Sequence, residues 1–303
     1  MLTISSNIIL LWYNNSIKFR EEVVTMTITQ DLLEKFENYL IDEEKSSATQ
    51  KKYMRDIKTF EQWCSGEKLD KRKILAYKEH LVGRFAPASA NSVLSSLNSF
   101  FEFNHWYELK VKMLKIQKQI FAQKDKELTK AEYERLLSAA KAKKNERLYL
   151  LMQTICASGI RVSELQYVTV EAIRVKKATI NCKGKMRMVI LPAELCKMLA
   201  RYAREKKITS GSVFVTKTGK PLDRSTIWKM MKALCESAGV SKHKVFPHNL
   251  RHLFARTFYT IQKDIVRLAD ILGHSSVNTT RIYTMETGDI HRKQIQKLGL
   301  LRL

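Results

Sequence analysis

No two cysteines of this chain stand in a C-x-x-C spacing. The five thiols, Cys64, Cys156, Cys182, Cys196 and Cys235, are odd in number and scattered among mostly apolar neighbours. That pattern excludes a disulfide framework and a cysteine metal cluster, and reads as reduced thiols in a cytosol. Apolar runs of the roughly 18 residues that a membrane span requires are also missing. The run "NIILLW" at 7–12 is too short, and no Lys or Arg precedes it, so it does not read as a signal peptide. The expected location is cytoplasmic, with no membrane partner. Internal repeats and low-complexity tracts are absent too. Acid is scarce relative to base: 30 Asp and Glu stand against 54 Lys and Arg, a formal net charge of +24. Such a surplus points to a polyanionic partner, nucleic acid first, with an anionic membrane surface or a ribosome-type RNA as the alternatives.

What is present is helical periodicity in a chain of 303 residues, 45 % of them hydrophobic, enough for two globular domains. Residues 1–26 differ in character from the rest of the chain and read as an N-terminal extension, with Met26 a plausible start. From there "TQDLLEKFENYLID" places Leu32, Leu33, Phe36, Tyr39 and Leu40 on one stripe. "QKKYMRDIKTFEQWC" does the same with Tyr53, Ile57, Phe60 and Trp63 or Cys64, after N-cap candidates at Ser46 to Thr49. "KRKILAYKEHLVG" reads as a third helix closed by Gly83, and residues 88–106 as a fourth. Residues 27–118 are thus expected to form an all-helical domain, and the charged stretch 119–128 a linker.

The second domain opens at Thr129, with Glu132 three residues on as a capping box. "RLYLLMQTICASG" reads as a buried helix ended by Gly159. Strands are expected at "ATINC", "MRMVILP" and "SVFVT", the first two joined by a tight Lys-Gly-Lys turn. Helices are expected at 225–239, 248–262 and 264–273. The fold class is mainly α with a small antiparallel β-sheet.

Four motifs in this domain matter jointly. In "ASGIRVSEL", Arg161 follows a glycine turn and Glu164 lies three residues later. The hairpin "CKGKMRMV" carries Lys183 and Lys185. "FPHNLRHLFART" sets His248 and Arg251 three apart on one helix face, a titrating ring beside a fixed bidentate cation; His252 and Phe254 fall elsewhere on the same turns. In "LADILGHSSVNTTRIYT", His274 follows Gly273 and Tyr283 comes nine residues later, with Thr280 three before it. Most of the 11 tyrosines must be structural, and Tyr259 is a core candidate.

In this order and spacing the motifs resemble the tyrosine recombinase (phage integrase) family. "SATQKKYMRDIKTFEQW" and "SANSVLSSLNSFFEF" are similar to the helical core-binding domain of simple Xer-type recombinases, and residues 129–287 to the catalytic domain. The resemblance implies a two-domain clamp on double-stranded DNA that cleaves and rejoins through a covalent 3′-phosphotyrosyl intermediate and a Holliday junction. It implies a homo-tetramer or hetero-tetramer on the synapse, and no cofactor, metal or ATP. Tyr283 would be the nucleophile, Arg161 and Arg251 the clamp on the phosphate oxygens, and Lys185 the acid for the leaving oxygen. His248 would be the proton acceptor or hydrogen-bond partner near the phosphate, and His274 the donor that braces it. Glu164 would buttress the arginine or histidine network. Relatives read Gly-Lys-Gly-x-Lys-x-Arg at the hairpin; "CKGKMR" is one residue short. Anchoring on Lys-x-Arg selects Lys185, whereas a slipped register selects Lys183. The segment 288–303, with Ile290, Ile295 and Leu298 in helical spacing, would dock on a neighbouring protomer or fold back on its own domain.

Rival classes stay open at this point. A DNA-binding protein of the same fold without chemistry would bind and leave no covalent adduct. An enzyme like the type IB topoisomerases would relax DNA without sequence preference. A metal-dependent nuclease would want clustered carboxylates, and residues 241–284 carry Lys, Arg and His with scattered acids.

Overall fold

Capping residues announce the first helices. Thr29, Ser46 and Asp70 each accept a hydrogen bond from the backbone N–H three residues on, and Pro87 occupies a first helical position. They open α1 (Gln30–Asp42), α2 (Ser47–Cys64), α3 (Lys71–Arg84) and α4 (Pro87–Phe103). This is a computed structural model, and it describes residues 26–116, 124–182, 185–274, 276–283 and 297. The N-terminal extension before Met26, part of the linker, Lys183 and nearly all of 288–303 lie outside the described residues.

Gly83 does not close α3. The helix runs on to Arg84 and leaves through the extended residue Phe85, because Pro87 holds the preceding Ala86 extended. Phe36, Leu40, Ile57, Phe60, Ile74, Leu94, Leu97, Phe100 and Phe101 are fully buried, each worth about 1.5–3 kcal/mol relative to exposure. Phe36 meets Phe100 edge to face with centroids 5.2 Å apart.

The chain divides into two compact units between Lys118 and Gln119. The second contains α5 (Lys130–Ala142), α6 (Glu146–Ser158), α7 (Val170–Val175), α8 (Ala193–Glu205), α9 (Arg224–Lys232), α10 (Pro247–Gln262), α11 (Ile265–Leu272) and α12 (Val277–Thr280). The Thr129–Glu132 capping box starts α5. Helix α6 is apolar around most of its circumference, and Leu148, Leu150, Leu151, Met152 and Ile155 are buried; such a helix belongs inside. Helix α10 packs along it, which brings the ends of both helices to one place.

Strands β1 (Lys177–Cys182) and β2 (Lys185–Ile190) pair antiparallel, from Lys177 opposite Ile190 to Cys182 opposite Lys185. The expected third strand, "SVFVT", makes only isolated bridges, Ser212 to Thr169 and Val215 to Pro221. Val213 and Phe214 are buried, so the apolar run reports burial and not a ladder. Likewise the helix expected to reach residue 239 ends at Lys232. Beyond it the N–H groups of Leu234 and Cys235 bond three residues back, tightening the chain into turns. Among the described residues no helix is long and apolar enough to cross a membrane.

Candidate active site

Two helix ends build the site. Helix α6 stops at Gly159, which adopts a left-handed φ of +66°, and its carbonyl accepts from Arg251 Nη1 at 2.5 Å. Helix α11 stops at Gly273, with a φ of +62°. Its last carbonyls each receive an arginine: Ile271 O from Arg187 Nη1 at 3.1 Å, Leu272 O from Arg251 Nη2 at 2.8 Å, and Gly273 O from Arg161 Nη2 at 3.1 Å. The final carbonyls of a helix lack partners within it and carry its partial negative charge. One short helix thus steadies three like-charged side chains that would otherwise repel.

Glu164, 5 % exposed, supplies the anion at the centre. It accepts from Arg161 Nη1 and from the Arg161 backbone N–H, both at 2.9 Å, and from Arg187 through Nε at 3.2 Å and Nη2. Burial alone would raise its carboxyl; hydrogen bonds from Arg187 and Arg161 overcome that and hold it below the ordinary value. Arg251 is 3 % exposed. Burial, then the Arg161 charge, lowers it to about 10, so it remains a cation at neutral pH.

Aromatic rings line the rest. Arg251 Nη2 lies 3.1 Å from His274 Nε2. A guanidinium only donates, so Nε2 accepts and the ring's proton sits on Nδ1, 2.8 Å from Thr280 Oγ1. His274, expected as the donor that braces the phosphate, thus has its Nε2 engaged as an acceptor by Arg251. Tyr283, 5 % exposed, stands between His274, nearly parallel at 6.2 Å, and His252, perpendicular at 4.9 Å. Burial raises its phenol, while the Arg251 charge opposes the rise. His252 in turn meets His248 at 4.3 Å. Burial and the Arg251, Arg224 and Arg161 charges lower His248, which keeps its ring neutral and able to accept a proton.

Arg161, Arg251, His274 and Tyr283 are thus brought together, with His248 joined through His252. Lys185 is described by its strand position alone. Two residues of the site receive no role from the sequence. Arg187 there only sets the hairpin register, although it shares a strand face with residue 185. His252 reads there as lying away from His248, although four residues apart on a helix is the same face. Its Nε2 is buried without a hydrogen-bond partner among the described residues. Also among the described residues, no group of three or more His, Cys, Asp or Glu side chains is placed to hold a metal ion.

Residues 126–288 match the model of the phage integrase family, and residues 32–105 that of the phage integrase N-terminal SAM-like domain. The chain is 32 % identical over 294 residues to tyrosine recombinase XerA of Pyrococcus horikoshii, covering 94 % of this chain and 98 % of that one. In fold it is similar to a lambda integrase dimer bound to a core site, with TM-score 0.70 at 20 % identity over 87 % of this chain and 97 % of the other. A lambda integrase tetramer bound to a Holliday junction matches with TM-score 0.68 at 19 % identity, over 86 % and 78 % of the two chains.

Proposed function

The chain belongs to the phage integrase family and is a site-specific tyrosine recombinase, and from that premise we propose how its own residues divide the work. Arg161 and Arg251 exchange neutral carbonyl partners for the non-bridging oxygens of the scissile phosphate, a charge-assisted and stronger bond. The Tyr283 hydroxyl attacks phosphorus in line, its proton passing to neutral His248. The new bond joins the tyrosine oxygen to phosphorus as the bond from phosphorus to the 5′-oxygen breaks, and Lys185 protonates that oxygen. Rejoining is the reverse, so bond energy is kept in the phosphotyrosyl ester. His274 holds Arg251 to its task. Two duplexes present four strands to be cut and each protomer carries one Tyr283, so four protomers act on the synapse, passing through a Holliday junction.

The observation that carries this reading is the convergence of Arg161, Arg251, His274 and Tyr283 on the end of α11. A scissile methylphosphonate, which lacks the charge the arginines would meet, tests it. Arg161→Ala and Arg251→Ala are expected to cleave an ordinary suicide substrate about 10²–10³-fold more slowly and to recover on the methylphosphonate. Equal defects on both substrates would contradict the assignment.

A further inference from the structure

The inner face of the β1–β2 hairpin holds it to the domain. Ala178, Ile180 and Val189 are buried there, whereas Met186, Met188 and Ile190 on the outer face are 72 %, 57 % and 70 % exposed. A two-stranded ribbon by itself is marginally stable, so its position depends on what the inner face grips. On that face, opposite Ile180, stands Arg187. Its Nε and Nη2 take both oxygens of Glu164, and its Nη1 takes the carbonyl of Ile271 at 3.1 Å. The fit is close: a Cβ at Gly273 would come within 2.5 Å of Arg187 Cδ. Two of its nitrogens are thus committed to a carboxylate, whereas Arg251 meets only neutral acceptors that a phosphate could replace; a charge-assisted bidentate pair is the stronger tie and suits an anchor. Residue 185 is the next position on the same strand face, roughly 6.6 Å along the strand.

We propose that Arg187 is a positioning residue for the leaving-group acid, tying β2 to Glu164 and to the end of α11 so that residue 185 enters the site at one fixed place. The proposal rests on the reading of Lys185 as that acid, and a substrate with sulfur in place of the bridging 5′-oxygen separates the two. A thiolate leaves without protonation, so a defect confined to the acid disappears on it.

Arg187→Met and Arg187→Lys are expected to slow single-turnover cleavage of the oxygen substrate, up to the ~10²–10⁴-fold that a positioned acid contributes. On the sulfur substrate both return to near the parent rate, as does Lys185→Ala, while Arg161→Ala stays slow. Arg187→Lys keeps the charge and most of the volume, so the comparison survives if Arg187→Met does not fold; melting temperature and site binding report on folding. Rescue of Lys185→Ala with no rescue of the Arg187 variants would overturn the proposal and place Arg187 in service of the phosphate clamp. Failure of the sulfur substrate to rescue Lys185→Ala would remove the acid reading and the proposal with it.

Discussion

Arg251 shows why the His274 ring beside it must stay neutral. It is 3 % exposed, and a buried charge costs several kcal/mol unless it is matched. Carbonyls of Gly159 and Leu272 match it, together with the lone pair of His274. That lone pair exists only while the ring is neutral. Burial, then Arg251 and Arg161, pushes His274 down to about 4; burial, His248 and Arg251 push His252 to about 4. Below the ordinary value of about 6.5, the unfolded chain therefore binds protons that the folded one refuses. Stability is full above that pH and falls as pH drops toward 4, by at most about 1.4 kcal/mol per pH unit for each ring. Urea unfolding at pH 7.5 and 5 is expected to show this loss, and His252→Phe to reduce it while keeping a ring beside Tyr283. An undiminished loss in His252→Phe would count against a buried neutral His252. The sequence points to the residue types of the candidate site, since His-x-x-Arg and Gly-His are each local in the chain. It does not show that His274 accepts from Arg251, because tautomers follow from three-dimensional partners.

Helix ends, more than helix faces, organise the site. Gly159 and Gly273 do two things at once: each ends a helix in a conformation that glycine adopts without penalty, and each offers its carbonyl to a site arginine. Both are also crowded, since a Cβ at Gly159 would lie 2.6 Å from the Phe254 ring and one at Gly273 would lie 2.5 Å from Arg187 Cδ. Gly273→Ala is expected to cost more than the roughly 1 kcal/mol of a strained left-handed alanine, read from thermal melts, and to slow cleavage by shifting Arg187 and Arg161. A variant that melts and cleaves like the parent would contradict this role for the α11 end. Helices, caps and the hairpin are legible in the sequence because period and capping chemistry are local. Gly83 and "SVFVT" mislead for one reason: a glycine or an apolar run signals a possibility that neighbouring Pro87, or burial without a pairing partner, decides. Backbone carbonyls have no sequence signature, so the three-arginine cluster at α11 is invisible there.

For the whole molecule, a net charge of +24 favours binding through phosphates, and such binding weakens steeply with salt. The charge points to nucleic acid before any motif does, because it is a sum that needs no fold. The target site is written in no comparable sum. Tyr283 is expected to become covalently joined to DNA. The direct measurement is to incubate the protein and Tyr283→Phe with fragmented DNA without added metal, quench in SDS, and sequence what remains attached. An adduct is expected from the parent alone, at a discrete site. DNA bound by both proteins with no adduct from either, or an adduct that persists in Tyr283→Phe, would contradict that expectation.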